Sequence, residues 1–91
     1  MGEEFSPTFG GALAALQSGH KVARKGWNGA GMFIYLVPAA SYPAATDIAK
    51  KEFGETVPYQ AYMAFKTVQG TVVPWVASQT DLLAEDWEVV D

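Results

Sequence analysis

The stretch KVARKGWNGAGMFIYLV, residues 21–37, contains two strand-forming runs around a glycine-rich turn. The runs are Lys21–Arg24 and Gly31–Val37, and the Gly-Trp-Asn-Gly between them supplies the positive-φ residues of a hairpin turn. We expect the runs to pair. In the second run Met32, Ile34 and Leu36 share one face, yet the alternate positions are also largely apolar. One face should therefore pack on the core, and the other should form an oligomer surface or a pocket wall.

An amphipathic helix is predicted before these strands. Apolar residues with the i, i+3, i+4, i+7 spacing of one helix face are Phe9, Ala12, Leu13 and Leu16. Thr8 can cap this helix, and Gly19 ends it. Glycines at positions 10 and 11 each cost a helix roughly 1 kcal/mol relative to alanine. We expect close packing of the first turn on another element to explain them.

Beyond residue 37 the chain predicts a further helix, three strands and a helical turn. Residues 38–58 carry three of the five prolines, and Ala44–Phe53 predicts a short helix. Strands are predicted at Tyr59–Thr67, Thr71–Val73 and Trp87–Val90. Before the last strand, Ser78 or Thr80 is expected to cap a helical turn that extends through Ala84.

These elements predict an α+β fold that occupies residues 1–91 as a single domain. It should comprise a small antiparallel sheet of about five strands, one main N-terminal helix and a short C-terminal helical turn.

A domain of 91 residues buries a small core, and without cysteine no disulfide can support it. Charged residues, at 18%, are below the usual ~25%. We therefore expect a homo-oligomer.

Charge and hydropathy exclude several classes of partner. The net charge of −4 disfavours binding to a DNA or RNA polymer, which requires a basic surface. The N-terminal residues are acidic and polar, unlike a secretory signal, and no apolar run approaches the ~20 residues of a membrane span. These features predict a cytoplasmic protein without a membrane partner.

Groups suited to catalysis are sparse. His20 is the single histidine, and its Ser-Gly-His-Lys context is typical of a solvated loop. Asp81 and Glu85 have the i, i+4 spacing that can hold a hard cation, although a solvated helix face explains two carboxylates more simply. The sequence also lacks a glycine loop followed by the lysine of a P-loop. We expect no catalytic residue, no metal and no cofactor.

Two clusters combine an indole with polar groups. Within Arg24–Gly29, Arg24 offers a cation for phosphate, Trp27 a π-face for a base, and Asn28 an amide for a base edge or ribose. The structural alternative is that Trp27 folds over the core and Asn28 adopts a left-handed turn.

In the second cluster Trp75 is followed by the polar run Ser78, Gln79, Thr80 and Asp81. Such a run suits a pocket better than a core. The alternative is that Trp75 is a core residue and that Thr80 and Asp81 simply begin a helix. Trp87, in an alternating strand, is predicted to be core. The eight candidate ligand-binding residues are Arg24, Trp27, Asn28, Trp75, Ser78, Gln79, Thr80 and Asp81.

Three segments resemble a family signature. They are Phe9-Gly10-x-Ala12-Leu13, then Lys21-Val22-Ala23-Arg24-x-Gly26-Trp27-Asn28-Gly29 with Gly31-Met32, and Val73-Pro74-Trp75-x-Ala77-Ser78-Gln79-Thr80-Asp81-Leu82-Leu83-Ala84-x-Asp86-Trp87. This pattern resembles the second Thoeris anti-defence family of phages and prophages. The resemblance covers both ends of the chain and leaves residues 39–58 unmatched.

The resemblance implies a sponge for an immune signal in the cytoplasm of the infected bacterial host. Members bind cyclic ADP-ribose isomers such as 1′′–3′ gcADPR without cutting them, and some also bind cyclic oligonucleotides of other systems such as CBASS. Relatives are homo-oligomers, typically tetramers, with pockets at subunit boundaries. By resemblance Trp27, Asn28, Trp75, Thr80 and Asp81 would contact the ligand. The alternatives are an enzyme that degrades a cyclic nucleotide and a phage structural or protein-interaction module.

Overall fold

A computed structural model describes residues 4–27 and 30–90 and confirms the α+β class. The helices are α1 (Phe9–Gln17), α2 (Asp47–Phe53) and α3 (Gln79–Leu83), and the strands are β1 (Val22–Arg24), β2 (Phe33–Val37), β3 (Ala40–Pro43), β4 (Thr56–Tyr59), β5 (Tyr62–Lys66), β6 (Val72–Pro74) and β7 (Trp87–Val89). Five strands form an antiparallel sheet in the order β6-β5-β2-β1-β7. Strands β3 and β4 form a separate two-stranded ribbon.

Helix α1 begins and ends as predicted. The Thr8 hydroxyl accepts a hydrogen bond from the Gly11 N–H at 3.3 Å, and Gly19 follows the helix with a φ of +92°. A Cβ at Gly11 would collide with the backbone carbonyl of Ser6, whereas at Gly10 the nearest atom would lie 3.7 Å away. The expected close packing of the first turn is therefore confirmed at Gly11 but does not explain Gly10.

The pairing of β1 with β2 is confirmed, with Val22 opposite Ile34. However, eight residues separate the two strands, and Gly31 has a φ of +83° in that connection. The predicted turn residues Asn28 and Gly29 lie outside the described residues. Strand β1 also pairs along its length with β7, which places the connection beside the C-terminal strand.

The predicted strand over residues 59–67 is wrong in its first part. Tyr59 instead ends β4, which pairs with the unpredicted strand β3, and β5 begins only at Tyr62. Pro58 lies inside β4 and has no backbone N–H to donate, which a narrow ribbon accommodates more readily than the middle of a sheet. Helix α2, predicted over 44–53, connects the two ribbon strands and ends at Gly54, where φ is +92°.

The core lies between α1 and one face of the five-stranded sheet. Its buried members include Leu16 from α1, Val22, Ile34 and Trp87, so the prediction that Trp87 is core is confirmed. Because side chains alternate along a strand, Phe33 and its alternate neighbours in β2 lie on the opposite face of the sheet.

Candidate functional site

Helix α3 is fixed by a capping box. The Ser78 hydroxyl accepts a hydrogen bond from the Asp81 N–H, and the Asp81 carboxylate accepts one from the Ser78 N–H, both at 3.1 Å. The structure therefore selects Ser78, rather than Thr80, as the N-cap. The Thr80 hydroxyl lies 2.9 Å from that of Ser78. This local arrangement gives the polar run a defined shape.

Arg24 joins β1 to the C-terminal region through two carboxylates. Its Nε donates to Asp86 at 2.9 Å, and its Nη1 donates to Asp81 at 3.0 Å. The hydrogen bond to Asp86, followed by that to Asp81, raises the pKa of Arg24. The Arg24 hydrogen bond likewise lowers the pKa of Asp86. At Asp81 burial opposes ionisation, but hydrogen bonds from the Ser78 N–H and from Arg24 outweigh it and lower the pKa.

Asp86 also anchors the connection that carries Trp27. Its carboxylate accepts a hydrogen bond from the Gly26 N–H, and its backbone carbonyl accepts one from the Lys25 N–H, each at 3.0 Å. A Cβ at Gly26 would lie only 3.1 Å from the Asp86 carboxylate, so glycine permits the close approach. These hydrogen bonds thus attach the start of the β1–β2 connection to the residue that precedes β7.

Beneath these polar contacts lies an aromatic cluster, which we call the Trp87 cluster; it comprises Phe9, Trp27, Phe65, Trp75 and Trp87. Edge-to-face contacts join Trp87 to Trp27 at 5.5 Å between ring centroids and to Trp75 at 6.0 Å. The Trp87 indole N–H donates to the Asp81 carbonyl at 2.9 Å. The predicted indoles Trp27 and Trp75 are therefore both partly buried structural residues, each with part of its surface still accessible.

The structure brings together two clusters that the sequence separates by about fifty residues. Arg24 and Trp27 from the first meet Asp81 and Trp75 from the second, directly or through Trp87. Gln79, like Thr80, is exposed on α3. Asn28 lies outside the described residues. Because two carboxylates already balance the Arg24 guanidinium, Arg24 is not the free cation for phosphate that its sequence context suggested.

Surface cavities reveal residues that the sequence reasoning missed. Among the cavities of the described residues, three have volumes of about 470, 350 and 350 Å³, and none of the seven described candidate residues lines these three. The largest is bordered by Lys21, Phe33 and Lys66, and also by His20. His20 is half-buried with its ring edge-on to Phe5 at 5.6 Å, so it is not the solvated loop residue predicted. The second apolar face of β2 was predicted to form an oligomer surface or a pocket wall, and Phe33 and Tyr35 on that face do line this cavity; its other lining residues were not predicted.

Two negative observations apply to the part of the chain that the structure describes. No three side chains of histidine or acidic type gather there in a way that could hold a metal ion. No described helix has both the length and the hydropathy needed to cross a bilayer. Asp81, which with Glu85 has the spacing that can hold a hard cation, is engaged by Arg24 and the Ser78 N–H.

Fold and site together define a small α+β domain in which a tryptophan-centred cluster joins two distant segments beneath an exposed polar surface. The family model described as the Thoeris anti-defense 2-like domain matches residues 7–90. The protein Thoeris anti-defense 2 of Bacillus phage SP01 is 36% identical over 83 residues, which cover 91% of this chain and 93% of that relative. The chain belongs to the Thoeris anti-defense 2-like family.

Proposed function

We propose that this chain is a phage anti-defence protein that counters Thoeris by binding and sequestering a cyclic nucleotide signal without degrading it. The observation that carries the proposal is the family match over residues 7–90, supported by a relative whose name states the anti-Thoeris role. The ligand we favour is a cyclic ADP-ribose isomer such as 1′′–3′ gcADPR, with cyclic oligonucleotides as a second class. The protein would act in the cytoplasm of the infected bacterial host.

We assign the proposed capture surface to the eight candidate residues. It would use the accessible parts of Trp27 and Trp75, Asn28, which follows Trp27 in the sequence, and the 78–81 run, while Arg24 would position that run through Asp81 instead of offering a free charge. The accessible parts of the two indoles would stack on a base, which is worth about 1–3 kcal/mol per base. Exposed amide and hydroxyl groups at Gln79 and Thr80 would bind the base edge or ribose. The capping box and the Trp87 cluster hold these groups in place before the ligand arrives, which favours tight binding because little ordering remains to be done.

Sequestration without catalysis agrees with the electrostatics of this surface. Asp81 and Asp86 have lowered pKa values and are therefore ionised at neutral pH and weakly basic. A general acid or base works best with a pKa close to the operating pH. The carboxylates here serve instead to fix Arg24, and through it the relative positions of β1 and α3.

A homo-oligomer, and a tetramer in preference to a dimer, would complete the capture surface. Large apolar side chains remain exposed on the single chain, among them Val76 at 87%, Ile48 at 79% and Leu83 at 78%. Two of these, Val76 and Leu83, flank the 78–81 run. Burial of such residues between subunits would stabilise the small domain and would enclose a ligand that one chain leaves open.

Calorimetric titration of 1′′–3′ gcADPR into the full chain and matched variants tests the proposal. Asn28→Ala and Gln79→Ala should each weaken binding at least tenfold, because each removes a polar contact to the ligand. Gln60→Ala is the control, because it makes the same change at an exposed position between β4 and β5. Equal affinity in all four proteins would show that the capture surface is elsewhere.

The alternative functions give different results in the same titration. A degrading enzyme would release heat continuously as ligand is consumed, and the mixture would contain a cleaved product. A structural or protein-interaction module would give no binding heat with any cyclic ADP-ribose isomer, cyclic dinucleotide or cyclic trinucleotide. Either result would refute sequestration.

A further inference from the structure

All four tyrosines of the chain line one cavity, which lies where the β3–β4 ribbon meets the five-stranded sheet. Its volume of about 350 Å³ is near the lower end of the range of roughly 300–1,000 Å³ that small-molecule sites occupy. We call it the tyrosine pocket; its lining includes Tyr35, Val37, Tyr42, Tyr59 and Tyr62. None of these is a candidate residue of the capture surface, so the cavity is a separate feature of the fold.

The tyrosines of this pocket come from four strands. Tyr35 and Val37 alternate along β2, and Tyr62 of β5 lies directly opposite Val37, so these three side chains share the sheet face that points away from α1. Tyr42 of β3 and Tyr59 of β4 belong to the ribbon, and their ring centroids are 5.7 Å apart. The sheet therefore supplies one wall of the pocket and the ribbon supplies another.

The ribbon wall is held in place by contacts of its own. The Tyr42 hydroxyl donates to the Pro38 carbonyl at 3.3 Å, and the Tyr42 ring also contacts Tyr59. By contrast, Tyr59 is 50% exposed and Tyr62 is 40% exposed. A ligand can therefore reach aromatic surface that is already positioned before binding.

The chemistry of the lining is aromatic and uncharged. Besides the tyrosines it contains only Val37, Pro43 and Ala45. The face of an aromatic ring carries negative potential and attracts a cation within about 6 Å of its centroid. The Tyr42 and Tyr59 rings are inclined at 71°, so they meet as a corner and do not form the parallel gap that a flat base needs to stack on both faces. A compact cation fits this arrangement better than a base.

The charges of the chain favour a cation of one particular type. The net charge is −4, which attracts cations and repels anions. Acidic residues lie next to the lining: Asp47 is two residues beyond Ala45, and the Glu55 carbonyl accepts a hydrogen bond from the Ala44 N–H at 2.8 Å. A primary ammonium brings three N–H donors that need acceptors, whereas a quaternary ammonium brings none. Because no carboxylate lines the pocket, the quaternary group suits it better.

We propose that the tyrosine pocket binds a compact quaternary ammonium ion of about the size of choline. Its charged head lies against the rings of Tyr42, Tyr59 and Tyr62, and its methyl groups pack against the apolar part of the lining. Attraction between the cation and the rings provides the selectivity. The inference does not rest on the proposed function.

A chemical-shift titration of the full chain with three matched probes tests the proposal. The probes are choline, 3,3-dimethylbutan-1-ol, which has the same shape with carbon in place of the charged nitrogen, and ethanolamine, which replaces the three methyl groups by N–H donors. Choline should bind at least about fivefold more tightly than either of the other two. Equal affinity for the neutral alcohol, equal affinity for ethanolamine, or no saturable shift with choline would each overturn the assignment of a quaternary ammonium.

Ring-removing variants locate the binding. Tyr59→Leu and Tyr62→Leu should each weaken choline at least about fivefold, whereas Tyr59→Phe keeps the ring and should keep most of the affinity. Phe53→Leu is the matched control, because it removes a 56% exposed ring from α2 outside the lining, and it should remain within twofold of the parent. Unchanged affinity in both tyrosine-to-leucine variants would overturn the proposal. Thermal melts check that each variant is folded, and the three-probe comparison on the parent needs no variant.

Competition separates this pocket from the capture surface. Saturating choline should not displace 1′′–3′ gcADPR, and Tyr59→Leu should bind gcADPR with the parent affinity, because no candidate residue lines the pocket. Displacement of gcADPR by choline would mean that the two sites are one and would overturn their separation.

Discussion

Replacement of Trp87 by phenylalanine tests whether the Trp87 cluster holds the two halves of the site together. Trp87 is buried, contacts the rings of Trp27 and Trp75, and donates its indole N–H to the Asp81 carbonyl. Phenylalanine keeps a ring at this position but removes that donor and the outer part of the indole. The substitution should therefore loosen α3 without abolishing the core.

The expected loss of stability follows from two contributions. Trp87→Phe removes about three buried heavy atoms, worth roughly 2 kcal/mol at about 0.8 kcal/mol per buried CH₂. The lost hydrogen bond contributes about 1 kcal/mol net. The Asp81 carbonyl retains a longer bond from the Ala84 N–H at 3.4 Å, which limits the penalty for leaving it unpaired. The sum, about 3 kcal/mol, corresponds to a fall of roughly 12–24 °C in Tm for a domain of this size.

Equilibrium urea unfolding followed by far-ultraviolet circular dichroism measures this loss without relying on tryptophan fluorescence. Trp75→Phe is the matched control: Trp75 is only half-buried, and the same substitution there should cost less than half as much. A loss below about 1 kcal/mol for Trp87→Phe, or a larger loss for Trp75→Phe, would refute the view that Trp87 is the centre of the cluster.

Three further predictions concern local features. Gly11→Ala should destabilise the protein by about 1–3 kcal/mol because the new Cβ would meet the Ser6 carbonyl. Gly10→Ala has room for the Cβ and should stabilise the protein by roughly 0.5–1 kcal/mol. Equal effects of the two substitutions in thermal melts would contradict the packing of the first turn. Ser78→Ala should remove the capping box, cost about 1 kcal/mol, and increase amide exchange in α3; unchanged exchange would show that α3 does not depend on this cap. Asp86 has a lowered pKa, so its stabilising effect is complete above its ordinary pKa of about 4 and is lost as the pH falls through the lower folded value. Asp86→Asn should therefore be less stable than the parent at pH 7, and the difference should shrink as the pH falls below about 4; a constant difference across that range would contradict the role of the carboxylate charge.

Local sequence patterns predicted the elements whose stabilising contacts are close along the chain. Thr8 and Gly19 delimit α1, and the three-residue spacing from Ser78 to Asp81 is the spacing of a capping box. The alternation around Trp87 placed it in the core. The capping partners lie within one helical turn, and the alternation along β7 marks its buried face although the partners of Trp87 are on other elements, so residue types and spacing were sufficient.

Contacts between distant segments could not be predicted in this way. Arg24 pairs with Asp81 and Asp86, which lie 57 and 62 residues away, and nothing near Arg24 in the sequence indicates that its charge is balanced. The β3–β4 ribbon was missed because prolines at positions 43 and 58 resemble loop residues, although an isolated ribbon tolerates them. The cavity bordered by Phe33 and Lys66 depends on the alignment of β2 with β5, which becomes evident only when the sheet order is known.

The central claim, sequestration of an intact signal, is tested most directly by a capture-and-release measurement. Purified protein is incubated with a substoichiometric amount of 1′′–3′ gcADPR, the mixture is filtered to remove protein, and the retained protein is heated and refiltered. Mass spectrometry should find little signal in the first filtrate and the intact molecule in the second. Undiminished signal in the first filtrate would contradict binding, and a cleaved product in either filtrate would contradict sequestration without degradation.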